Sequence, residues 1–62
     1  MNINNVKWAS KHDWFISSRL IRATGTYAVT VRDFIPNDET GEYEDITIRF
    51  GMINELREWA GY

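Results

Sequence analysis

The residues with the chemistry of a catalytic pair are His12 and Asp13, which are neighbours in the sequence. A histidine that acts as a general base needs a substrate and, for nucleophilic catalysis, a Ser or Cys within hydrogen-bond reach. Side chains of adjacent residues rarely point together, and the chain of 62 residues contains no cysteine and no second histidine. We therefore interpret His12 as a solvent-facing histidine at a helix end and predict that the protein is not an enzyme.

Five acidic residues lie in and beside one predicted loop, and carboxylates are ligands that calcium prefers. They are Asp38, Glu39, Glu42, Glu44 and Asp45. The EF-hand pattern, with Asp or Asn at alternate positions followed by Gly, is not met. A zinc site would need several Cys or His residues, and the chain has no Cys and one His. We predict no metal and no cofactor, and we interpret the acidic residues as a solvated hairpin tip. The alternative is that they present negative charge to a basic partner.

Three runs rich in β-branched and aromatic residues predict strands, at residues 14–22, 27–34 and 43–50. Pro36 and Gly41 separate the second run from the third, which is typical of a β-hairpin. The first run ends close to Thr24 and Gly25, which favours a two-residue turn, and a continued helix is the alternative for this run.

Cross-strand chemistry predicts a register for these strands. Pairing across the Thr-Gly turn places Leu20 opposite Val29. In the second hairpin, Val29 lies opposite Ile48 and Arg32 opposite Asp45. Apolar residues then face apolar ones and opposite charges meet, and such pairs contribute roughly 0.2–1 kcal/mol each.

Helices are predicted on either side of the strands. Asn4 or Asn5 can cap a short helix before His12. Residues 52–60 place Leu56 and Trp59, together with Met52, on one side of a second helix, which we expect to cover the apolar face of the sheet. The predicted fold class is α+β, with a short N-terminal helix, a three-stranded antiparallel β-meander and a C-terminal helix packed on one sheet face. We expect residues 1–62 to form a single small domain.

This order of elements resembles that of double-stranded-RNA-binding domains. Those domains carry a Lys-rich motif at the start of their second helix. Here that place, residues 51–56, reads Gly-Met-Ile-Asn-Glu-Leu. The resemblance covers the order of elements and assigns no RNA-contacting residue.

Each predicted strand contributes one arginine to the outward face of the sheet, and three aromatic residues form a predicted row at one end. Arginine and aromatic side chains are favoured at protein interfaces, and on an open sheet they also bind single-stranded nucleic acid. The alternative is an ordinary solvated face whose aromatic row is covered by the N-terminal helix. The predicted partner-binding residues are Arg19, Arg32, Arg49, Phe15, Phe34, Tyr43 and Trp8.

Charge is unevenly placed along the chain. Residues 1–32 carry five basic and one acidic side chain, and residues 33–62 carry two basic and eight acidic ones. Such asymmetry marks a recognition surface or is neutralised on folding. No apolar run approaches the ~20 residues of a membrane span. We expect no membrane contact and a cytoplasmic protein.

From these observations we predict a small protein-interaction module that binds a partner protein, whose identity is unknown, or itself as a homodimer. A regulator or inhibitor encoded by a phage or mobile element is the kind of protein that fits this description. The alternative is a nucleic-acid-binding module that uses the Arg/aromatic sheet face.

Overall fold

The computed structural model describes residues 1–62 and contains two helices and one three-stranded antiparallel sheet. In chain order the elements are α1 (Ile3–Ala9), β1 (Phe15–Ile21), β2 (Thr26–Pro36), β3 (Tyr43–Phe50) and α2 (Ile53–Ala60). The strands are adjacent in the order β1-β2-β3. The predicted α+β fold with an antiparallel meander between two helices is confirmed, and the first run is a strand rather than a continued helix.

Both helices contribute to one hydrophobic core on the same face of the sheet, which we call the inner face. Val29 and Val31 project from β2 into this core and are fully buried. They meet Val6 and Ala9 of α1, which are three residues apart and therefore share one side of the helix. From α2 comes Leu56, which is also fully buried. The core therefore lies between the centre of β2 and one side of each helix.

The helix ends follow from their capping residues. The Asn2 side chain accepts a hydrogen bond from the backbone N–H of Asn5 at 2.9 Å, so α1 begins at Ile3 and the predicted caps at residues 4 and 5 are wrong. At the other helix, Gly61 has a φ of 88° and ends α2 as its position predicted. Met52 precedes α2 and is 58% exposed, so it does not join the buried side of that helix. No helix is long and apolar enough to cross a membrane.

The strand register differs from the prediction by two residues in both hairpins. Ile21 lies opposite Thr26, so the first connection has four residues rather than two. The N–H groups of Thr24 and Gly25 both donate to the carbonyl oxygen of Ile21, at 3.3 and 2.8 Å, which closes the longer turn. As a result, Val29 lies opposite Ser18 and Phe50 rather than Leu20 and Ile48. A shift of two residues by itself keeps side chains on their predicted faces because the side-chain period is two.

A β-bulge at the start of β1 changes the orientation of one predicted surface residue. Phe15 pairs with Val31 and Ser17 pairs with Thr30, so Ile16 is an extra residue of β1 that has no partner on β2. An extra residue reverses the alternation beyond it. Phe15 therefore faces the same side as Val31 and packs against the core.

Gly25 in the first connection provides a test of the backbone geometry. Its φ is +69° and no heavy atom lies within 4 Å of an added Cβ, so Gly25→Ala creates strain without a clash. We expect the free energy of unfolding to fall by about 1–2 kcal/mol in urea denaturation. Gly51→Ala is the matched control, since its surroundings are equally open and its φ is not positive. We expect the control to be neutral or to stabilise by up to about 1 kcal/mol. Equal effects of the two substitutions would contradict the turn.

Candidate functional site

The face of the sheet opposite the helices, which we call the outer face, is covered by neither of them. The strand register places alternate residues of all three strands on it: Ser17, Arg19, Ile21, Thr26, Ala28, Thr30, Arg32, Phe34, Pro36, Tyr43, Asp45, Thr47 and Arg49. The three predicted arginines are all on this face and all exposed. The outer face therefore brings together five of the seven residues that the sequence analysis selected.

A hollow lies at the end of the outer face nearest the β1–β2 connection. Its volume is about 790 Å³, and its floor is Ala28, which is only 4% exposed although it points away from the core. Arg19 lies opposite Ala28 in the register, and Arg49 and Arg22 also line the hollow together with Ile21. Ala28 and Arg22 were not among the binding residues predicted from the sequence. The signal for Ala28 was a small side chain inside a run of larger β-formers.

The arginines of the hollow have no acidic partner. The structure contains one ion pair, which joins Arg32 to Asp45 at 3.5 Å, and none that involves Arg19, Arg22 or Arg49. Three guanidinium groups around an apolar floor therefore form the basic end of the outer face.

The contact between Arg32 and Asp45 was expected, but its geometry is different. Arg32 lies opposite Thr47, and Asp45 lies opposite Phe34, so the two charges meet diagonally across the strands. Both side chains are 54% exposed, and exposed pairs contribute about 0.2–1 kcal/mol. The pair neutralises the central arginine, so the positive charge of the outer face is concentrated in the hollow.

The other end of the outer face, near the β2–β3 connection, is aromatic and acidic. Phe34 is 57% exposed and Tyr43 is 71% exposed. Asp45 lies on the same face beside them, and Asp38, Glu39 and Glu42 lie in the connection at this end, whereas Glu44 points to the inner side; all five are exposed. The chain is elongated, with extents of 42 × 23 × 16 Å, so the basic and acidic ends are well separated.

Two of the predicted binding residues do not belong to the outer face. Phe15 is half-buried on the inner face because of the bulge, so the predicted aromatic row is reduced to Phe34 and Tyr43. Trp8 is half-buried and packs against the core. Its ring lies 6.0 Å from that of Trp14 and therefore belongs to a separate cluster on the helix side of the molecule. Phe15 and Trp8 therefore cannot contact the same flat partner surface as the arginines of the outer face.

His12 belongs to this helix-side cluster and is half-buried, so the prediction of a solvent-facing histidine is wrong. Its Nδ1 atom lies 3.0 Å from the carbonyl oxygen of Trp8 and 3.3 Å from that of Ala9. Because a carbonyl only accepts, we assign the proton to Nδ1. Nε2 lies 3.0 Å from the Tyr62 hydroxyl, and the ring stacks on Trp14 at 4.5 Å. Both ring nitrogens are engaged at the end of α1, and neither one bonds to Asp13.

β2 extends past the end of β1 and exposes a short free edge. The last N–H paired on this side is that of Arg32, which donates to the carbonyl oxygen of Trp14 at 2.8 Å. The next one, from Phe34, donates to Oδ1 of Asp33 at 2.7 Å, and Pro36 has no N–H. An edge without free donors pairs poorly with another strand. The outer face is therefore a better binding surface than this edge.

Comparisons with known proteins give no functional information for this fold. No protein-family model matches the chain, and no curated protein or solved structure matches it. What the outer face binds has to be inferred from its own residues.

Proposed function

We propose that this protein is a small non-enzymatic protein-interaction module that binds its partner through the outer face of the sheet. The observation that supports the proposal is the hollow, where unpaired Arg19, Arg22 and Arg49 surround the apolar floor at Ala28. Arginine is enriched where proteins bind one another and among the residues that dominate binding.

A protein partner fits the outer face better than a nucleic acid does. Nucleic acids present an unbroken row of negative phosphates and favour a continuous basic stripe. Here Asp45 lies on the same face as the arginines and neutralises Arg32, and the exposed acidic residues of the β2–β3 connection lie at the end of that face. The net charge is −2. A surface with both signs of charge suits a protein whose own charges are complementary.

The proposed role is that of a small regulator or inhibitor acting in the cytoplasm, of the kind that phage and mobile-element genomes encode. Such a protein acts by occupying a surface of its partner, which requires a rigid binding face rather than a catalytic site. The hydrogen-bonded sheet, with both helices packed on its inner face, supplies a face of this kind.

The test is an affinity pull-down of the tagged protein from a lysate that also contains an untagged copy, with and without nuclease, read by mass spectrometry. We expect one dominant protein to survive nuclease treatment. The double variant Arg19→Ala/Arg49→Ala should retain at least about tenfold less of it, because truncation of an interface arginine commonly costs about 2 kcal/mol or more. Both arginines are exposed, so the fold should be unaffected.

The matched control is Glu55→Ala/Glu58→Ala, which removes two exposed charges from α2 on the helix side of the molecule. It should capture as much protein as the unchanged chain. Recovery that disappears with nuclease would favour nucleic-acid binding through the arginines. Equal capture by the arginine variant and the control would show that the outer face is not the binding surface.

A further inference from the structure

The two ends of the outer face have complementary shapes. At one end, the hollow has the small side chain of Ala28 as its floor. At the other end, Phe34 projects from the same strand and is 57% exposed. Both residues belong to β2 and are separated by six positions, or about 20 Å at the usual rise of a strand. Ala28 is only 4% exposed, so a phenyl ring of a second copy reaches it when the flexible side chains that line the hollow move aside.

The charges of the two ends are also complementary. Arg19, Arg22 and Arg49 are unpaired at the hollow. At the other end Asp45 is paired with Arg32, and the exposed carboxylates without an ion-pair partner are those of Asp38, Glu39 and Glu42 in the connection. Opposite charges at the two ends favour a second copy that lies head to tail with the first. Two copies with the same direction would place arginines over arginines, and like charges brought together repel each other.

The strand register gives the arrangement in detail. Val31 lies midway between Ala28 and Phe34 on β2. A two-fold axis that runs across the strands at the level of Val31 stacks the two outer faces with their strands antiparallel. It places Ala28 of each copy over Phe34 of the other, and Thr30 of each copy over Arg32 of the other. Closed two-fold contacts of this self-complementary kind are the commonest arrangement of protein oligomers.

The same axis brings two of the arginines to suitable partners, while Arg32 of each copy, which has its own ion pair with Asp45, comes beside Arg49 of the other. β1 does not extend to the level of Phe34, so the side chain of Arg19 finds free space beside the Phe34 ring of the second copy. A guanidinium group next to an aromatic ring is attracted by its π-electrons. On the β3 side, Arg49 lies within two residue levels of Asp45 of the second copy, a distance that a long side chain can span.

Under this axis β2 stacks along its whole length on β2 of the second copy and β3 stacks over part of its length, while β1 has no counterpart above it. The contact is therefore smaller than the whole outer face, and interfaces of standard size bury about 800 Å² on each partner. Two sheets that stack face to face lie about 10 Å apart, which leaves room for one aromatic side chain between them.

We infer that the outer face binds a second copy of this chain, with antiparallel strands and with Phe34 of each copy in the Ala28 hollow of the other. The inference rests on the proposed function, because it names the partner of the same face.

The first measurement is the mass in solution by sedimentation equilibrium, at concentrations up to about 1 mM so that a weak dimer is also detected. We expect twice the monomer mass of 7.3 kDa. Phe34→Ala removes the projecting ring, and Ala28→Phe fills the hollow. Each variant should dimerise at least about tenfold more weakly, because each loses the best-packed contact of the interface. Phe34 is exposed, so Phe34→Ala should fold normally. Ala28 is buried on the outer face, so Ala28→Phe is expected to cost some stability, and circular dichroism will check that both variants fold.

The decisive experiment combines the two variants. In an equal mixture, Phe34 of the Ala28→Phe copy meets the intact hollow of the Phe34→Ala copy. The ring introduced by Ala28→Phe then lies over the small side chain introduced by Phe34→Ala. The mixture should therefore form a heterodimer, although each variant alone is mainly monomeric. The double variant Ala28→Phe/Phe34→Ala should dimerise by itself for the same reason.

Three results would overturn the inference: a monomer at the highest concentration, dimers that persist in both single variants, or a mixture that stays monomeric. Failure here is distinguishable from failure of the proposed function. A monomer that still captures another protein in an arginine-dependent manner would refute the homodimer alone. A monomer without any such partner would refute both.

Discussion

Leu56→Ala is expected to lower the free energy of unfolding by about 3–5 kcal/mol, the upper part of the range for a buried leucine. Leu56 is fully buried and is the residue through which α2 enters the core beside Val29 and Val31. Its truncation removes apolar contacts and leaves a cavity, because the hydrogen-bonded sheet and the helices around Leu56 are too rigid to move into the space. Typical domains gain only about 0.05–0.15 kcal/mol of stability per residue, so much of the stability of this small domain would be lost.

Urea denaturation followed by circular dichroism measures this effect. Met52→Ala is the matched control, because Met52 lies one helical turn before Leu56 but is 58% exposed. We expect the control to cost less than about 0.5 kcal/mol, as surface substitutions usually do. Similar losses for both variants would mean that α2 does not pack through Leu56.

Trp14→Ala is expected to lower the free energy of unfolding by about 2–3 kcal/mol, somewhat less than the loss for a fully buried tryptophan. Trp14 connects the aromatic residues on the helix side: its ring lies 6.0 Å from Trp8, 4.5 Å from His12 and 5.4 Å from Trp59. Aromatic pairs contribute about 0.5–1.5 kcal/mol beyond their buried area, and this substitution removes several of them together.

The same denaturation experiment, at a concentration where the chain is monomeric, provides the comparison. Tyr43→Ala removes an aromatic ring that is 71% exposed, and we expect it to change the stability by less than about 0.5 kcal/mol. Near-ultraviolet circular dichroism should lose intensity in the tryptophan variant, because the remaining rings are held less rigidly. A loss for Tyr43→Ala as large as that for Trp14→Ala would contradict the packing of the cluster.

The elements and their order could be predicted because each depends on residues close together in the sequence. The alternation around Val29 and Val31 predicted a strand with one buried side, and both are fully buried. The spacing of Leu56 and Trp59 predicted a helix, and Gly61 predicted its end. Local backbone preference and one-sided burial are sufficient for such features.

The pairing of the strands depended on the lengths of their connections, which the residue pattern does not determine. A shift of two residues keeps the same faces, so the alternation that predicted the strands was equally compatible with both registers. Hydrogen bonds in the turns select one of the two registers. In the first turn, the N–H groups of Thr24 and Gly25 donate to the carbonyl oxygen of Ile21. In the second, the N–H of Asn37 donates to the carbonyl oxygen of Glu42 at 2.7 Å.

For the candidate site, the sequence by itself determined which side chains point outward, and Arg19, Arg32 and Arg49 share the outer face for that reason. It did not determine their neighbours. The bulge beside Ile16 turned Phe15 into the core, and only the assembled sheet made Ala28 the floor of a hollow. The physical reason is one of range: the direction of a side chain follows from its own strand, whereas a hollow requires several strands in one specific register.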